Sequence, residues 1–108
     1  MTDYHEALHK CAERYRDMLI EGGYPSDDPL WKFTHEFMFG CRDYMPIPKL
    51  CRWLGYIQGV LIERELTTVV AERDWTRPLF RPLDFPVAAE GTGRRTDLEN
   101  KGAADEIS

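Results

Sequence analysis

The sequence predicts an all-α protein: a small helical bundle of three main helices and a short fourth, followed by a proline-rich extended strap. Apolar residues recur at spacings of three and four in three successive stretches, the pattern of one face of an α-helix. Clusters of Gly, Pro and Asp separate those stretches, as helix ends require. No partner strands are apparent elsewhere, so we expect the locally ambiguous run VVAERDW to be helical as well.

Composition divides the 108-residue chain near residue 87. Every aromatic residue lies before that point, whereas residues 87–108 are rich in Gly, Ala and charged residues. A segment of that kind buries too little apolar surface to offset the entropy lost on ordering. The sequence therefore predicts a helical domain over 1–86 and a disordered acidic tail over 87–108.

Charge and cysteine content narrow the classes of protein to consider. The formal net charge is −5, which argues against general nucleic-acid binding. Three cysteines without CxxC spacing predict reduced, buried thiols and a cytoplasmic setting. No apolar run reaches transmembrane length, so we expect no membrane association.

The first two helices have clear boundaries. Asp3, with Glu6 three residues later, predicts the start of the first helix, which ends near Glu21 before a Gly-Gly pair. Asp28 before Pro29 predicts the start of the second helix, which runs to about Arg42. Their apolar faces are Tyr4, Leu8, Cys11, Tyr15 and Met18 in the first, and Leu30, Trp31, Phe33, Phe37, Met38 and Cys41 in the second.

Phe39 falls on the polar side of the second helix. A single exposed aromatic residue is normal on a protein surface. The alternative interpretation is a contact with a partner protein or a second subunit.

The third helix, Pro48–Leu66, is predicted to be the element around which the domain is built. It carries two nearly opposite apolar stripes, as in a helix buried between neighbours. Gly55 and Gly59 lie on one of those stripes although each glycine costs about 1 kcal/mol of helix propensity. We therefore expect another backbone, from this chain or a second copy, to approach closely there. On that interpretation Gly59→Ala is destabilising.

The chain after the third helix is predicted to change character. Thr67 and Thr68 can cap a short fourth helix that ends at about Trp75. Prolines at positions 78, 82 and 86 then predict an extended strap from Arg77, because proline interrupts helical hydrogen bonding.

One motif suggests metal chemistry. His5, Glu6 and His9 match H-E-x-x-H, in which two imidazoles one helical turn apart bind zinc and the glutamate acts as general base. The motif begins five residues from the first residue, and the foldable chain is short for an enclosed cleft. The favoured interpretation is a polar flank of the first helix, with His9 near Glu13. A minimal zinc hydrolase is the alternative.

A second constellation suggests an anionic ligand. Arg73, Arg77 and Arg81 supply guanidinium groups suited to phosphate, and Trp75 supplies a stacking face. A nucleotide-binding module is therefore one hypothesis. The favoured interpretation is structural: these arginines pair with nearby acidic residues and hold the strap on the bundle. The acidic candidates are Glu72, Asp74 and Asp84.

Two runs, RWLGYIQGVL over Arg52–Leu61 and ERDWTRPLFRP over Glu72–Pro82, resemble a segment of small accessory proteins of tailed bacteriophages. The resemblance implies a phage product that acts in the host cytoplasm by binding a host protein, for example to block a defence or metabolic enzyme. It implies no catalytic role and no cofactor. Candidate partner contacts are Phe39, Tyr56 and Trp75, and a homo-oligomer through the face of Gly55 and Gly59 is a further expectation.

Overall fold

The computed structural model describes residues 2–86, which form four helices. They are α1 (Asp3–Glu21), α2 (Pro29–Arg42), α3 (Ile47–Glu63) and α4 (Val69–Asp84). The predicted all-α bundle is confirmed, and the described range contains no strand. The tail predicted for 87–108 lies outside the described residues.

The first helix, and not the third, organises the domain. Each of α2, α3 and α4 packs against α1. The residues that α1 buries run along most of its length: His5, Ala7, Leu8, Cys11, Ala12, Tyr15 and Leu19. By contrast, α3 buries Leu50, Ile57 and Leu61 on one side only. The expectation that the third helix sits between neighbours on two faces is therefore wrong.

The N-terminal cap of α1 differs from the prediction by one residue. The Thr2 side chain accepts a hydrogen bond from the backbone N–H of His5, at 3.1 Å, and Asp3 is the first helical residue. A hydroxyl is as suitable as a carboxylate for this role. Asp3 remains in the first turn, where its negative charge interacts favourably with the helix dipole.

Asp28 connects the start of α2 to the end of α3. Its carboxylate accepts hydrogen bonds from the backbone N–H groups of Leu30 and Trp31, at 3.0 and 3.1 Å, as the predicted cap requires. It also accepts two bonds of 3.0 Å from the Arg64 guanidinium. The Arg64 hydrogen bonds hold the pKa of the Asp28 carboxyl below its usual range. The Asp28 carboxylate thus fixes both the start of α2 and, through Arg64, the end of α3.

We expect Asp28→Ala to lower the free energy of unfolding by about 2 kcal/mol, because it removes a helix cap and a two-pronged ion pair together. Urea titration followed by circular dichroism would measure the change. The adjacent Asp27 is exposed and provides the matched control, Asp27→Ala, for which little change is expected. Equal effects of the two substitutions would contradict this role for Asp28.

The outer face of α3 is open within the chain. Cys51, Gly55 and Gly59 are exposed, and a Cβ atom added to either glycine would meet no other atom within 4 Å. The predicted close approach of a backbone from this chain is therefore wrong. The expectation of buried thiols holds for Cys11 and Cys41 but fails for Cys51.

The fourth helix is longer than predicted. Thr68 caps it as expected, accepting from the Ala71 N–H at 3.0 Å, but α4 continues through Pro78 and Pro82 to Asp84. The predicted strap from Arg77 is therefore wrong. Both prolines are exposed and one helical turn apart, and each removes one backbone hydrogen bond of the helix. Apolar packing of Trp75, Leu79 and Phe80 against the core favours the continued helix.

Candidate functional site

A cluster of three aromatic rings, two half-buried and one exposed, lies where α2 meets α3. We call it the aromatic edge, and it consists of Phe33, Trp53 and Tyr56. The Phe33 ring lies 5.1 Å from that of Trp53 and 5.2 Å from that of Tyr56, measured between centroids. The ammonium of Lys49 lies 5.4 Å above the Trp53 ring. Tyr56 is 59% exposed, so the edge presents a ring to solvent.

Helix geometry explains why these rings meet. Trp53 and Tyr56 are three residues apart on α3, and side chains at that spacing are neighbours on a helix surface. Phe33 reaches both from α2, in a tilted arrangement with Trp53 and an edge-to-face arrangement with Tyr56. Such pairs are held by ring electrostatics as well as by burial. The aromatic edge is thus a supported surface and not one loose side chain.

The other two predicted partner contacts lie elsewhere. Phe39 is 54% exposed, and the Arg42 guanidinium lies 5.8 Å from its ring. Arg42 also donates to His9 of α1 at 3.1 Å, which places Phe39 beside the contact between α1 and α2. Trp75 lies between α4 and α1, 4.7 Å below the Arg14 guanidinium. The three predicted contacts therefore do not form one surface.

An open groove of about 490 Å³ runs between α1 and α4. Its lining residues are Arg14, Asp17, Met18, Glu21, Leu66 and Trp75. Two of them are acidic, and the guanidinium of Arg14 already donates to Glu72 at 2.9 Å. This groove therefore offers an anionic ligand little uncompensated positive charge.

The predicted arginine and tryptophan site is not assembled. Arg73, Arg77 and Arg81 are spaced four apart and follow one side of α4. Trp75 projects about 160° away from the middle of that row, given 3.6 residues per helical turn. The ring and the guanidinium groups cannot enclose one nucleotide in this arrangement. The structural interpretation paired Glu72 with an arginine of the same segment, whereas its ionic partner in the structure is Arg14 of α1.

Glu72 is the centre of a buried polar network that joins α1, α3 and α4. Its carboxylate accepts hydrogen bonds from Tyr15 Oη at 2.6 Å, Thr67 Oγ1 at 2.6 Å and Arg14 Nη2 at 2.9 Å. The Tyr15 hydroxyl in turn accepts a bond of 2.9 Å from the side-chain amide of Gln58. Glu72 is 4% exposed and Tyr15 is fully buried. The network fixes the start of α4 in the space between α1 and α3.

The charge state of Glu72 follows from these contacts. Burial by itself would raise the pKa of Glu72, but the hydrogen bonds from Arg14, Thr67 and Tyr15 outweigh it and lower that pKa. Burial raises the pKa of the Tyr15 hydroxyl, so that it remains a donor. The network therefore holds one ionised carboxylate with its counterion in a largely dry setting.

Sequence patterning carries a signal for this network. Glu72 shares one side of a helix with Trp75, Thr76 and Leu79, which are spaced three, four and seven residues after it. A prediction that continued the fourth helix beyond Trp75 would have placed Glu72 on the same, apolar side of the helix as these residues. The strap assignment hid that periodicity.

The two histidines of the H-E-x-x-H motif make separate structural contacts. His5 is buried; its Nε2 lies 2.9 Å from the Met45 carbonyl oxygen, and its Nδ1 lies 2.6 Å from Thr2 Oγ1. His9 Nε2 accepts from Arg42. Its Nδ1 lies 3.6 Å from a carboxylate oxygen of Glu13, the predicted neighbour. Within residues 2–86 no group of His, Cys, Asp and Glu side chains is arranged to hold a metal ion.

Comparisons with known proteins add no family to this description. No protein-family model, curated protein or solved structure matches the chain. None of the four described helices combines the length and the apolar character that crossing a lipid bilayer requires. The functional assignment therefore depends on the surface of the described domain and on the phage resemblance.

Proposed function

We propose that the protein is a non-enzymatic phage accessory protein that binds and modulates a bacterial host protein through its aromatic edge. The observation that carries the proposal is the Tyr56 ring, which is 59% exposed yet braced by Phe33. Tyr and Trp are enriched among the residues that dominate protein–protein binding energy. A braced ring also loses little side-chain entropy on binding.

The chemistry of the edge suits a protein partner. Apolar rings at its centre can be desolvated, and Lys49 at its margin supplies a positive charge that favours an acidic rim on the partner. Phe39 and Trp75 lie on other edges and are less suitable, because Phe39 is a single ring and Trp75 is partly covered by Arg14.

The resemblance over Arg52–Leu61 and Glu72–Pro82 supplies the biological setting. It supports a phage product that acts in the host cytoplasm, where small accessory proteins redirect or inhibit host proteins. Inhibition of a defence enzyme is one form that such an activity would take. This setting is an argument by analogy and not by geometry.

Affinity capture from bacterial lysate, with mass spectrometry of bound proteins and small molecules, tests the proposal. The wild-type protein should retain a host protein that Tyr56→Ala loses. Phe85→Ala is the matched control, because Phe85 is also 59% exposed but lies at the end of α4. A purified partner should then show at least roughly tenfold weaker binding to Tyr56→Ala than to Phe85→Ala.

Other results of the same experiment would support the rival functions. A co-purifying nucleotide, released by substitution of Arg73 or Arg77, would favour the ligand-binding module. Near-stoichiometric zinc that His5→Ala abolishes would favour the zinc hydrolase. If Tyr56→Ala and Phe85→Ala retained the host protein equally well, the aromatic edge would not be its binding surface.

A further inference from the structure

The outward face of α3 has a composition suited to self-association. Five of its exposed residues fall within about one third of the helix circumference, at 3.6 residues per turn. They are Arg52, Gly55, Tyr56, Gly59 and Glu63, while Pro48, Lys49 and Cys51 near the start of α3 are exposed as well. One end of this face is basic, the other is acidic, and the middle is bare backbone beside one aromatic ring.

The two charged residues of this face, Arg52 and Glu63, are not used in ion pairs of the described domain. Among the described residues neither Arg52 nor Glu63 forms an ion pair. They lie roughly 16 Å apart along the axis at a rise of 1.5 Å per residue, so they cannot pair with each other within one chain. Each is therefore available to a partner charge at the opposite end of a facing helix.

These residues are placed symmetrically about one point of the helix. The centre of symmetry lies between Ile57 and Gln58. Arg52 and Glu63 are equally far from it in sequence, and so are Tyr56 and Gly59. A two-fold axis at that point, perpendicular to α3, would set Arg52 opposite Glu63 of a second copy. It would set Tyr56 opposite Gly59 of that copy. Both matches occur twice, as a two-fold interface requires.

We propose that α3 pairs antiparallel with α3 of a second copy of this chain about that axis, forming a homodimer. The glycines allow the two backbones to approach closely because they carry no Cβ atom. No atom of the same chain lies within 4 Å of the position that a Cβ would take at Gly55 or Gly59, so this space is free for the second copy. The Arg52–Glu63 pairs fix the antiparallel direction, since a parallel arrangement would set like charges opposite each other. This interface shares Tyr56 with the aromatic edge, so dimer formation and host binding through Tyr56 exclude each other.

Sedimentation velocity of the purified chain, over a range of concentrations, tests the proposal without any host protein. The wild type should dimerise. Arg52→Glu and Glu63→Arg should each raise the dimer dissociation constant at least roughly tenfold, because each turns two attractions into two repulsions. The double variant Arg52→Glu/Glu63→Arg should recover wild-type association, since it reverses both signs together.

Further variants separate this interface from other causes of association. Gly59→Leu should prevent dimer formation by blocking the backbone approach, while circular dichroism shows an intact helical fold. Asp74→Arg, an exposed charge reversal on α4, is the control and should leave the dimer unchanged. A wild type that stays monomeric at its highest soluble concentration would overturn the proposal. So would a dimer that the double variant fails to restore.

Discussion

Glu72→Ala is expected to lower the free energy of unfolding by about 3 kcal/mol, the largest effect of a polar substitution in this domain. The substitution removes the acceptor of three hydrogen bonds at a position that is 4% exposed. Arg14 keeps its charge beside Trp75, and its side chain is only 25% exposed. Urea titration monitored by circular dichroism would measure the loss.

Two comparisons isolate the network from general damage to α4. Asp74→Ala removes an exposed carboxylate from the same helix and should change stability by less than about 0.5 kcal/mol. A double-mutant cycle of Glu72→Ala with Arg14→Ala should give a clear coupling energy, because the two side chains are in contact. Additive effects of the two substitutions would contradict the proposed ion pair.

The same network predicts a direction for the pH dependence of stability. The pKa of Glu72 is lower in the folded state than its ordinary value of 4.5. Its contribution is therefore complete above that ordinary value and is lost as the pH falls through the folded value. Glu72→Gln should flatten the acid limb of the stability profile. Part of the loss of stability at acid pH should remain in this variant, because the pKa of Asp28 is also lowered in the folded state.

Gly40→Leu is expected to destabilise the domain by about 3 kcal/mol through overpacking. Gly40 is buried, and a Cβ there would lie 2.6 Å from the Met45 Sδ and 3.2 Å from a Leu50 methyl carbon. The turn into α3 is anchored at the same place by a 3.0 Å bond from the Met45 N–H to the Gly40 carbonyl. A larger side chain must therefore displace the side chains of Met45 and of Leu50, the first buried residue of α3.

Gly59 supplies the matched control in a second helix. Under dilute conditions in which the chain is monomeric, Gly59→Ala should raise stability by about 1 kcal/mol, because it gains helix propensity and meets no neighbour. Gly59→Leu should not be destabilising there. Thermal denaturation of Gly40→Leu, Gly59→Ala and Gly59→Leu should show a loss of stability at position 40 and none at position 59. Destabilisation by Gly59→Ala in the monomer would contradict the open face.

The sequence by itself determined the elements whose signals are local. The spacing of Leu8, Cys11 and Tyr15 predicted the buried face of α1, and all three are buried. Asp28 before Pro29 predicted the start of α2 correctly, because capping depends on a few consecutive residues. Thr68 predicted the start of α4 for the same reason.

Only the tertiary structure decided which faces are covered and where each local rule is overridden. Gly55 and Gly59 suggested a packed backbone, yet among the glycines of residues 2–86 the shortest contact is at Gly40. Its neighbours Met45 and Leu50 reach it only through the packing of the turn and of α3. The low helix propensity of proline led to a prediction that ended the fourth helix too early. In the structure the helix continues, because its apolar side packs against the core and this packing outweighs the hydrogen bonds lost at Pro78 and Pro82.

The candidate sites divide in the same way. Phe39 was placed on the exposed side of its helix from periodicity, which is a local property, and it is exposed. The aromatic edge was not predicted, because Phe33 and Trp53 meet only when α2 packs beside α3. The Glu72 network was also missed, since its donors come from three separate segments. The periodicity of α4 places Glu72 on the inward side, but which donors meet it there depends on how α1, α3 and α4 pack.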